Sequence, residues 1–63
     1  MKLFDTEYRI EVYEECMSVW LEHFNIKSSK DEIVAKLQQF RELNPQLTYR
    51  LCELTISVKV IDV

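Results

Sequence analysis

Cys16 and His23 are the one pair in this 63-residue sequence that could act as nucleophile and general base. Such a pair must meet within hydrogen-bond reach, with a third group to orient the imidazole and donors for the developing oxyanion. On an extended strand seven residues separate them, so their side chains point to opposite faces. No oriented acid or oxyanion site completes a mechanism, and the expectation is a protein that is not an enzyme and takes no small-molecule substrate. His23 is read as a surface or edge histidine. It is also the only imidazole, and no second soft ligand lies at a helical or knuckle spacing from it, so no metal and no cofactor are expected. Cys16 and Cys52 could form one bridge at most, and neither belongs to a CxxC or a Cys-rich framework. They are read as two small reduced thiols, Cys52 in the core, in a protein of the reducing cytosol.

The other residues with chemical potential are carboxylates. Net charge is −3, and a duplex-binding footprint needs clustered Lys and Arg instead. Between residues 5 and 22 stand Asp5, Glu7, Glu11, Glu14, Glu15 and Glu22 against Arg9 alone, so this third carries −5 and the remainder +2. Such a face can simply solubilise the protein, or keep an edge strand from pairing with other sheets. It can also complement a basic surface on another protein, where clustered carboxylates speed encounter and fix orientation. Glu7, Glu11, Glu14, Glu15 and Glu22 are the partner-binding candidates, with Trp20 among them as a rigid anchor, although a Trp in so small a protein is more often core. Lys27 and Lys30 are the one local basic pair, at the entrance to a helix whose positive end Asp31 and Glu32 already occupy.

These side chains need elements to hold them. Phe4, Thr6, Tyr8, Ile10 and Val12 alternate with Asp5, Glu7, Arg9 and Glu11, the period-two signature of a half-buried strand over residues 3 to 13. "EEC" interrupts, and "MSVWLEHFNI" resumes as a second strand. The chain has no Gly, so the expected turn is a longer loop on a type I turn that avoids positive φ. The rival is a helix over residues 6 to 25 with Tyr13, Met17, Trp20, Leu21 and Phe24 in one stripe, which would put Tyr8 and Val12 on its wrong side. Over residues 28 to 44, Ser29-Lys30-Asp31-Glu32 forms a capping box. Ile33, Val34, Leu37 and Phe40 recur at helical spacing, and Asn44-Pro45 ends the run.

The last stretch, "LTYRLCELTISVKVIDV", reads as one long strand. Its apolar phase changes from Leu47, Tyr49 and Leu51 to Cys52, Leu54, Ile56, Val58 and Val60, which implies a bulge or twist near Leu51-Cys52 and a strand that serves two surfaces in succession. The fold class is α+β: a single domain over residues 1–63, with a three-stranded antiparallel sheet, ββαβ, order 2-1-3, and one helix on one face. The helix should cover Ile10, Val12, Leu54, Ile56 and Val58, leaving Leu3, Tyr13, Tyr49 and Leu51, with Val19 or Trp20, on the other face. Seventeen extended residues span roughly 55 Å, about twice the diameter of so small a protein. The strand must therefore bend, fray or extend onto a neighbour, and the sheet's apolar second face is either covered in part by the loop and helix ends or marks a homodimer or a docking surface for another protein. The self-association candidates are Tyr49, Leu51, Val60 and Ile61.

Taken together, "YRIEVYEE", "SVWLEHFNI", a capped "SSKDEIVAKLQQFREL" helix, "NP" and "YRLCELTISVKV" resemble the small ββαβ proteins of tailed bacteriophages. Some of these bind and inhibit host enzymes, including RNA polymerase and defence nucleases. The resemblance is one of pattern over most of the chain and carries no residue role with it. It implies a host-takeover or anti-defence protein in the host cytoplasm, binding a nucleic-acid-handling host protein through a basic surface, with no direct contact to nucleic acid. The N-terminus has no apolar run for a signal peptide or membrane span, so no membrane partner is expected. The other readings are a self-associating structural or assembly protein and an antitoxin-like regulator.

Overall fold

The computed structural model describes residues 6–54, 58–61 and 63. Leu3, Phe4 and Asp5 of the expected first strand, and Ile56 of the expected helix-covered face, lie outside them. The described chain runs β1 (Thr6–Glu14), β2 (Val19–Ser28), α1 (Lys30–Leu43), β3 (Tyr49–Leu54) and β4 (Val58–Ile61). The strands form one antiparallel sheet in the order β2-β1-β3-β4. The expected order 2-1-3 is present, and a fourth strand is added at its open end.

Residues 6 to 25 form a hairpin rather than a helix, because alternation gives β1 one apolar face while a helical winding would scatter Tyr8 and Val12. The turn over residues 15 to 18 closes with the Ser18 N–H donating to the Glu15 carbonyl at 3.3 Å. It does not avoid positive φ: Ser18 has φ 55, the left-handed region, at a cost of about 1–2 kcal/mol for a residue with a Cβ.

Helix α1 begins as its sequence dictates. The Ser29 hydroxyl accepts from the Glu32 N–H at 3.3 Å, and the Glu32 carboxylate accepts from the Ser29 N–H at 3.4 Å. It ends at Asn44, φ −133, whose N–H donates to the Phe40 carbonyl at 3.0 Å before Pro45 stops the helix. Arg41, in its last turn, donates to the carbonyls of Tyr49 (3.2 Å) and Val63 (3.0 Å), tying the helix to β3 and the chain end.

The helix lies over β3 and β1. The core between them is Tyr8, Ile10, Ile33, Leu37, Tyr49 and Leu51, with Val12, Phe24, Val34, Phe40 and Ile61 packed around it. Ile10 and Val12 are under the helix as expected. Tyr49 and Leu51 are there too, opposite Val12 and Ile10 in the ladder, whereas Leu54, Val58 and Val60 fall on the other face with Cys52. The expected faces of the last stretch are thus exchanged. No bulge occurs at Leu51-Cys52, since the β1–β3 register is unbroken from Glu7↔Leu54 to Val12↔Tyr49. The phase change has another cause: β3 is a central strand, apolar at odd positions for the helix and at even positions for the far face. Nor is the stretch one straight strand, because β4 runs back antiparallel along β3.

The irregularity lies in β2 instead. Phe24 faces Ile10 and Glu22 faces Glu11, so His23 is the extra residue of a bulge. Its exposed ring rests edge-on against Phe40, centroids 4.9 Å apart, and beside Tyr49 at 5.3 Å.

Candidate functional site

The face of the sheet away from the helix carries an ion cluster at its centre. Glu11 is only 6 % exposed although no element covers that face among the described residues. Its Oε1 accepts from Arg50 Nε at 2.7 Å, and its Oε2 lies 2.9 Å from Arg9 Nε. The second contact is an ion pair without hydrogen-bond geometry, since Arg9 Nε is buried and its N–H has no partner. Trp20 lies over this cluster. The Arg50 guanidinium sits 4.1 Å from the indole centroid, and Tyr13 packs against the same indole at 5.1 Å.

Burial alone would raise the Glu11 carboxyl. Hydrogen bonds from Arg50 and the Cys52 thiol, with the charges of Arg50 and Arg9, outweigh it and hold the group below its ordinary value. For Cys52, fully buried beside it, burial and the adjacent carboxylate both push the thiol up. A neutral, inaccessible thiol is no nucleophile. Both cysteines are free, Cys16 exposed in the turn and Cys52 buried.

The β1–β2 hairpin tip is the second feature. A cleft of about 220 Å³ opens between it and the connection from α1 to β3, lined by Tyr13, Glu14, Glu15, Cys16, Leu47 and Thr48 among others. The Tyr13 N–H donates to the Thr48 carbonyl at 2.9 Å and fixes the two walls together. Glu14 Oε2 accepts from the Cys16 N–H at 3.2 Å, which orients that carboxylate at the mouth. Leu47, which lines the cleft, is an exposed apolar side chain, and Met17 of the adjoining turn is 62 % exposed. Two carboxylates in a cleft edged by apolar surface suit a cationic side chain with an aliphatic stem.

The partner-binding candidates therefore divide. Glu14 and Glu15 meet at the tip, while Glu7 and Glu22 lie on the far face, Glu22 exposed and directly opposite Glu11. Glu11 is covered by its neighbours on that face and neutralised by two arginines, so it has no free charge for a partner, and Trp20 is committed to Arg50. Of the self-association candidates, Tyr49 and Leu51 are in the core, Ile61 packs against it, and Val60 is half exposed on the edge strand.

Sequence reasoning missed Arg9 and Arg50 as partners of Glu11. The signal was available in part: an acid at the middle of a strand placed between two others, with Arg9 two residues earlier on the same face. Leu47 and Met17 were missed because nothing local tells an exposed apolar residue from a core one.

Among the described residues no group of three or more His, Cys, Asp or Glu side chains is placed to hold a metal ion, and no helix is long and apolar enough to cross a membrane. In comparisons with known proteins, no family model, curated protein or solved structure matches this chain.

Proposed function

We propose that this is a non-enzymatic interaction protein that binds a basic surface of another protein through its acidic hairpin tip. The observation that carries the reading is the cleft between the tip and the α1–β3 connection, lined by Glu14, Glu15 and the exposed Leu47, with Met17 exposed in the adjoining turn. A Lys or Arg side chain entering it would meet two carboxylates while its stem covered apolar surface. The resemblance to small phage proteins supplies the setting: a phage-encoded inhibitor or modulator, in the host cytoplasm, of a nucleic-acid-handling host protein such as RNA polymerase or a defence nuclease. The test is affinity capture from bacterial lysate with the wild type and with the Glu14→Gln, Glu15→Gln double variant. Wild type should retain a basic partner in a salt-sensitive manner, and the double variant should retain about tenfold less. Capture of no partner, or capture indifferent to the two substitutions, would rule the reading out.

Self-association is the second reading, favoured by the exposed Val58 and Val60 on edge strand β4. A dimer formed there would use Val60 but neither Tyr49 nor Leu51.

A further inference from the structure

Three contacts lead from the middle of the sheet's far face to the wall of the tip cleft, each sharing a residue with the next. Glu11 and Arg50 are directly opposite in the β1–β3 ladder, and Tyr13 and Trp20 are directly opposite in the β1–β2 ladder. Because Glu11 and Tyr13 are two residues apart on one strand, all four side chains share the face away from the helix. The Glu11 carboxylate accepts from Arg50 Nε at 2.7 Å, and the Arg50 guanidinium lies 4.1 Å from the Trp20 indole centroid. The indole in turn lies 5.1 Å from the Tyr13 ring, at an interplanar angle of 59°. Tyr13 lines the cleft beside Thr48, to whose carbonyl its N–H donates at 2.9 Å.

Each link restrains the one after it. A charge-assisted hydrogen bond to a carboxylate fixes the position and plane of the guanidinium. A guanidinium lying over the indole blocks the rotamers that would sweep through it, and a tilted aromatic pair is a preferred arrangement, so the indole steadies the half-buried Tyr13 ring. A ring already in place spares a partner the cost of ordering it on docking. The carboxylates of Glu14 and Glu15 supply the attraction in the cleft, and the ring supplies a fixed wall.

We infer that Trp20, held by Arg50 and through it by Glu11, is a positioning residue for the cleft: it sets the Tyr13 ring against which the stem of an entering cationic side chain packs. The inference rests on the cleft being the binding site. It gives Trp20 a part in recognition without contact to the partner.

The probe is an acetylated, amidated glycine-lysine-glycine tripeptide, titrated into the ¹⁵N-labelled full chain at neutral pH and followed by amide shifts of residues 13 to 18 and 46 to 48. Wild type should bind it saturably, and the Glu14→Gln, Glu15→Gln double variant about tenfold more weakly. Trp20→Leu should weaken binding about three- to tenfold, the cost of one side chain ordered at docking. Trp20→Phe, which keeps a ring against Tyr13, should recover most of that loss. In a Tyr13→Ala background Trp20→Leu should cost nothing further, because the residue through which it acts is gone. Arg50→Lys keeps a charge beside Glu11 but no plane against the indole, so it should weaken binding about threefold, again only while Tyr13 is present. It carries the test if Trp20→Leu does not fold. Equal binding by wild type and these variants overturns the inference and leaves the cleft reading standing. So do losses that add in the Tyr13→Ala background, as direct contact between indole and probe would give. Wild-type binding indifferent to Glu14 and Glu15, or no saturable binding, overturns the cleft reading and this inference with it.

Discussion

Glu11 shows how a charge can sit at the middle of a sheet. Desolvating a carboxylate is expensive, and removing one partner of a buried pair leaves the other uncompensated. Two arginines share this carboxylate, and the Trp20 indole lies against one of them, so the group is ionised and buried at once. The sign of the pH dependence follows. Its carboxyl is lowered by folding, so the cluster contributes its full stability above the ordinary value of about 4.3 and loses it as the pH falls through the folded value. Cys52 moves the other way: raised by folding, it contributes fully below about pH 8.5 and progressively less above. The contributions of these two groups should therefore be constant between these limits. Urea unfolding should show Glu11→Gln less stable than wild type by about 2–3 kcal/mol at neutral pH, a large share of the few kcal/mol available to so small a core. The gap should close in acid, where both side chains are neutral. A gap of constant size down to low pH would mean that packing, not charge, holds Glu11 in place.

At the scale of elements, the hairpin stores a strain that can be removed. Ser18 at φ 55 is the one described residue in the left-handed region, closing a turn in a chain without Gly. Ser18→Gly should stabilise the protein by about 0.5–1 kcal/mol, the relief of the Cβ clash less the added freedom of the unfolded chain. A β-branched residue there should destabilise it, and thermal unfolding of Ser18→Gly beside Ser18→Val reads both. Both ends of helix α1 were legible because Ser29, Glu32 and Asn44-Pro45 are local signals that act through nearby backbone groups. The first strand was legible because its polar and apolar residues separate cleanly. In the last stretch both faces are apolar, so periodicity could mark the change at Leu51-Cys52 but not say which side met the helix. The bulge at His23 was hidden for a related reason, since Trp20, Leu21, His23 and Phe24 give no clean alternation to break. The acidic cleft was half visible: Glu14 and Glu15 are adjacent in sequence, while Leu47 and Thr48 reach them only through the fold.

For the whole molecule, of 45 × 25 × 17 Å extent, the question is what its open sheet edges allow. Folding the last stretch back as β4 resolves the length problem, since among the described residues no strand then exceeds ten residues. It creates another, because among the described residues β2 and β4 are now both edges. The two are blunted differently. The long edge, β2, is broken by the His23 bulge, whereas β4 is only four residues, and Lys59 is the single charge within it, opposite Glu53 of β3. Val58 and Val60, at 55 % and 50 % exposed, lie on either side of that lysine. Solvated lysines on an edge resist pairing because a second sheet would have to strip their water. Lys59→Val would make all four residues of β4 apolar and β-branched, so it should turn a concentration-independent sedimenting mass into one that rises with concentration, with a gain in amide-exchange protection at residues 58 to 61. Lys59→Glu should stay monomeric, because charge of either sign keeps the edge solvated. If wild type already associates through β4 and Lys59→Val leaves its mass unchanged, the edge is an interface by construction and the lysine has no protective role.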